Sequence, residues 1–61
     1  MSSEYQLTEA VREACLRAAL DAYESAGISG LCAEGRWELA IQAIRIVDLQ
    51  QVAGEVLRDG E

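Results

Sequence analysis

Sixty-one residues allow one domain at most, residues 1–61, and a chain this short buries only roughly 60% of the surface it exposes when unfolded. Half of the residues are apolar, which argues against a disordered tail. Eleven acids face five bases for a net charge of −6, every base is arginine, and histidine is absent; this balance opposes binding to nucleic acid or to an anionic membrane surface.

The N-terminal stretch Met1-Ser2-Ser3-Glu4-Tyr5-Gln6 has neither a basic region nor an apolar signal core, and no run approaches the roughly 20 apolar residues that span a bilayer. A cytoplasmic location is the expectation. Proline is absent, and alanine, leucine, glutamate and arginine dominate, so helix is expected nearly throughout.

The first helix is expected from Glu9 to about Ala26, with Thr8 as N-cap and Gly27 supplying the left-handed residue that ends it. Val11, Cys15, Ala18, Ala22 and Ala26 fall on one stripe at ~100° per residue. Leu16, Leu20 and Tyr23 form a second apolar ridge beside it. The opposite face carries Glu13, Arg17, Asp21 and Glu24, with Glu13 and Arg17 spaced as an i,i+4 pair.

Gly27-Ile28-Ser29-Gly30 reads as a turn, and Ser29 as the cap of a second helix running from Gly30 or Leu31 to about Val47. Gly35 is its weak point, costing up to ~1 kcal/mol relative to alanine, and a break there would split off a short first turn. Trp37, Leu39, Ala40, Ile41, Ala43 and Ile44 help to cover well over half of the circumference. Such a helix is expected to be central and buried, with neighbours on several sides. Asp48 can cap a third helix, Leu49 to about Arg58, with Gln51 at the capping-box position. Leu49, Val52, Ala53, Val56 and Leu57 give that helix one clean apolar face.

The pattern predicts an all-α fold, an antiparallel helical hairpin plus a short third helix. Helices one and three cannot cover the whole arc of helix two, so closure of the bundle as a homodimer is expected. The alternative is a monomeric three-helix bundle with an exposed apolar patch. Leu16, Leu20, Tyr23, Trp37, Ile41 and Ile44 are the candidate interface residues. Trp37 is the only tryptophan, a residue type enriched at interface hot spots, although core packing would use it equally well.

Residues that could carry chemistry are few. A hairpin pivoting on Gly27-Ile28 would set Cys15 opposite Ala40 and Cys32 opposite Tyr23. The two thiols would then lie roughly 12 Å apart along the axis at about 1.5 Å per residue, too far for a disulfide. Cys15 reads as a small core residue. Cys32, in the first turn of helix two, is a possible reactive thiol, because a helix N-terminus favours a thiolate; the alternative is packing beneath Tyr23. Glu34 and Glu38 share a helix face, but the Glu-x-x-His unit of helical di-metal sites needs a histidine. No serine or threonine has a histidine to act as its base. No metal, cofactor or enzymatic activity is expected.

The segment Gly27-Ile28-Ser29-Gly30-Leu31-Cys32-Ala33-Glu34-Gly35-Arg36-Trp37-Glu38, followed by Ala40-Ile41 and Ala43-Ile44-Arg45, resembles that of short all-α proteins of proteobacteria, some of which carry an acetyltransferase label. The resemblance covers about half of the chain and implies no catalytic residue. An acetyl-coenzyme A fold needs a mixed sheet and a far longer chain, so the activity is not carried over. A remoter likeness joins Cys32 and Trp37 to the Cys-x-x-x-x-Trp segment of a small Calvin-cycle regulator family. The paired cysteines of that family are missing here, and nothing is transferred from it.

The leading expectation is therefore a small acidic interaction protein, non-catalytic: a self-associating module, an accessory subunit or a regulator of a larger protein. Its acidity would keep an apolar chain soluble, or would favour a basic or neutral protein partner. Two alternatives stand beside it: an acidic inhibitor that mimics nucleic acid, and a thiol-dependent sensor using Cys32.

Overall fold

A computed structural model describes residues 3–59, which form three α-helices and no strand: α1 (Ser3–Ile28), α2 (Ala33–Arg45) and α3 (Leu49–Asp59). The all-α hairpin with a short third helix expected from the sequence is present.

α1 is longer at both ends than its capping signals suggested. Thr8 does not start it. Its hydroxyl donates instead to the Tyr5 carbonyl at 3.1 Å, the back-bond that lets a threonine sit inside a helix. Gly27 does not stop it either. The left-handed residue is Gly30, with φ of 89°; its N–H donates to the Gly27 carbonyl and the N–H of Leu31 to that of Ala26, each at 3.0 Å. These two bonds make a Schellman ending, which satisfies carbonyls that the last turn leaves free. Ser29 thus belongs to the end of α1 and caps nothing. The residue preceding α2 is Cys32, in extended conformation and without a side-chain capping bond.

α2 is shorter than expected and unbroken at Gly35. Its C-terminal turn closes when the Ile46 N–H donates to the Gln42 carbonyl at 3.2 Å. Asp48 then starts α3 as the sequence indicated, its Oδ1 accepting from the Gln51 N–H at 3.0 Å.

The expectation of a central, buried α2 is not met. α1 packs against both α2 and α3, whereas α2 and α3 do not pack against each other. α1 has 26 residues, about 39 Å at 1.5 Å per residue, and sets the 44 Å length of a molecule only 17 by 16 Å across. α2, with 13 residues, covers only the half of α1 nearest the turn. The half-buried stripe Leu7, Val11, Ala14 and Ala18 is the surface that the apolar face of α3 can cover.

Among the described residues only Ala26 and Ala40 are buried, at 3% and 7% exposure, and no large side chain is. The hairpin therefore closes on alanines. Small side chains let two helices approach closely, but their burial removes little apolar surface from water. Leu20, Tyr23 and Trp37 on one side and Leu31, Leu39 and Ile46 on the other stand on the flanks of the α1–α2 contact.

Candidate functional site: the two flanks of the hairpin

The sequence treats the Leu16-Leu20-Tyr23 ridge and the Trp37-Ile41-Ile44 side of α2 as separate candidates. The structure brings parts of both into one groove. Leu20 and Tyr23 from α1 and Trp37 from α2 line an open depression of about 390 Å³, floored by Ala19 and Ala40. Trp37 is 63% exposed and Leu20 66%. Leu16 and Ile44 are also exposed, and Ile41 is half-buried. The i,i+4 and i,i+7 spacings place Trp37, Ile41 and Ile44 on one side of α2.

The register differs from that expected. The residue at Tyr23 is Arg36, one turn further along α2 than Cys32: its Nε–H donates to the Tyr23 carbonyl at 3.1 Å, and its guanidinium carbon lies 4.1 Å from the ring centroid. The shift follows from the turn, because α1 continues past Gly27 and the pivot moves toward Gly30. Packing of Cys32 beneath Tyr23 is thereby excluded. Cys32 is exposed and Cys15 half-buried, and both are free thiols.

A second groove, about 340 Å³, lies on the other flank, where Ala22, Ala26, Leu31, Leu39, Ala43 and Ile46 are among the lining residues. Leu31, Leu39 and Ile46 were not among the candidate interface residues. A signal for them existed: an apolar arc this wide on a helix with one neighbour leaves two apolar flanks.

Glu34, Glu38 and Arg45 are exposed along the outer side of α2. The ion pair that forms on α1 is Glu9–Arg12 at 3.1 Å, one turn before the Glu13–Arg17 pair expected. Among the described residues no group of cysteine and carboxylate side chains is placed to hold a metal ion. None of the described helices is long and apolar enough to cross a membrane.

No family model, no curated protein and no solved structure matches the chain.

Proposed function

We propose that this chain is a non-catalytic, self-associating helical interaction protein, and that the Leu16, Leu20, Tyr23, Trp37, Ile41 and Ile44 flank is where it meets a second copy of itself. One observation carries the reading. Among the described residues the hairpin buries only alanines, while Leu20, Tyr23 and Trp37 surround an open apolar groove.

Burying a large apolar side chain stabilises by about 1.5–3 kcal/mol, against about 0.2–1 kcal/mol for an exposed ion pair. Covering Leu20, Trp37 and Ile44 on each copy therefore outweighs any surface charge effect. It also offsets part of the ordering entropy that a thin core leaves uncompensated.

Sedimentation velocity on the intact chain and on Trp37→Ala and Ile41→Glu tests this. The expected result is a wild-type dimer and variants that sediment as monomers while keeping much of their helical circular dichroism. Variants that sediment like the wild type would place the contact elsewhere.

A further inference from the structure

We infer that α3 is a releasable strap: it leaves α1 as a unit while the α1–α2 hairpin stays closed, and its release uncovers a second apolar face on α1. This stands apart from the self-association proposed above and needs no second copy.

α1 is the spine for both other helices and meets them at different levels. Ala19 and Ala40 floor one groove and Arg36 binds at Tyr23, so the antiparallel register puts Arg45, the last residue of α2, near the level of Ala14. Leu7, Ala10 and Val11 lie about one to two turns beyond that level, yet they are half-buried. α2 does not reach them. α3 packs against α1 and not against α2, so α3 is what shelters them. Its own half-buried side chains, Val52, Ala53 and Val56, lie on one side of an 11-residue helix.

The two attachments are unequal. α2 is tied to α1 by the Schellman turn, by the Arg36 bond and ring contact at Tyr23, and by the buried Ala26 and Ala40. None of residues 49–58 is buried, and a Cβ on the half-buried Gly54 would meet nothing within 4 Å, so the backbone of α3 is not pressed against α1 there. The joint is open as well. The bonds that close α2 end with the Val47 N–H donating to the Ile44 carbonyl. Those that open α3 begin at Asp48, which accepts from the N–H groups of Gln51 and Val52. Among the described residues no backbone hydrogen bond crosses from one set to the other, so the link from Val47 to Asp48 is a hinge, and the cap travels with α3.

An 11-residue helix with a glycine inside is too short to persist alone in water, so α3 unravels when it leaves α1. Thin apolar contact and a free joint mark a segment that opens below the free energy of global unfolding. Release frees Leu7, Ala10 and Val11 and leaves the groove at Trp37 as it was. The chain then carries one apolar surface that is always open and one that α3 gates.

Residue-resolved amide hydrogen exchange on the intact chain, at one protein concentration, tests this. The amides of residues 52–58 should exchange as one block, about tenfold or more faster than those at the centre of α2, and with a weaker dependence on added denaturant, because release exposes less surface than unfolding. Arg36→Ala weakens the hairpin in the closed and the released chain alike, so it should speed exchange in α2 and leave α3 unmoved. Gly54→Ala favours the helix and should slow exchange in α3 by up to about fivefold. One protection factor and one denaturant dependence shared by α2 and α3 in the wild-type chain, or an Arg36→Ala that speeds both helices equally, would overturn the strap and show that the three helices open as one.

Discussion

The guanidinium of Arg36 lies over the ring of Tyr23, 4.1 Å from its centroid, while Nε–H donates to the carbonyl of the same residue. One side chain thus clasps α2 to α1 and sets the register of the hairpin. The clasp passes so close to Gly27 that a Cβ there would stand 2.6 Å from the arginine Cζ.

Gly27→Ala should consequently behave differently in two backgrounds. With Arg36 present, the gain in helix propensity, up to ~1 kcal/mol, is offset by displacing a contact of similar size. With Arg36→Ala, the same substitution should stabilise. A double-mutant cycle by thermal unfolding reads this directly, and additive effects would show that the clasp and Gly27 are uncoupled.

The two capped positions make opposite predictions. Asp48→Ala removes the bond to the Gln51 N–H and should cost about 1 kcal/mol. Cys32 precedes α2 with φ −74° and ψ 170° and offers no capping bond. Cys32→Ser should fit that backbone, accept a backbone N–H of the first turn with its hydroxyl oxygen, and raise stability by about 0.5–1 kcal/mol. Chemical denaturation at fixed protein concentration measures both, and a destabilised Cys32→Ser would mean that the thiol makes a contact the serine cannot.

Two glycines lie inside helices without a steric reason. A Cβ on Gly54 would meet nothing within 4 Å, and one on Gly35 would meet Leu31 at an ordinary 3.6 Å. Gly35→Ala and Gly54→Ala should each stabilise by up to ~1 kcal/mol, and together nearly additively. A shortfall at Gly54 in the dimer alone, seen as loss of association, would reveal a close backbone approach by the second copy.

Salt separates helix-face packing from a contact made by acidity. Apolar contacts persist as salt screens surface charge, whose reach is about 10 Å at 0.1 M. Dimerisation should change little between low and high sodium chloride. A steep loss would transfer the weight to the charges.

What the sequence made legible was the local part of the fold. α3 announced itself because its cap, Asp48, and its one-sided apolar pattern both lie within a few residues of each other. The turn was harder, since Gly27 and Gly30 are both glycine and the choice falls to tertiary contacts: Gly27 is held in α1 beneath Arg36, and Gly30 takes the positive φ. Thr8 misled for a related reason, because a threonine hydroxyl serves the Tyr5 carbonyl inside a helix as readily as it caps one. The wide apolar arc of α2 was read correctly as apolar, but within the chain only α1 stands against it. Periodicity reports which faces avoid water; it does not report what stands against them. That is why Leu39 and Ile46 escaped notice as surface while Trp37 and Leu20 did not.

Self-association is tested most directly by the mass of the intact chain in solution, measured by light scattering across a wide concentration range, with the emission of Trp37 followed in the same samples. Trp37 is the sole tryptophan, so its emission reports one place. The expected result is twice the chain mass of 6.6 kDa, falling on dilution together with a red shift as the indole enters water. A mass of one chain at every concentration, with emission unchanged, would contradict it.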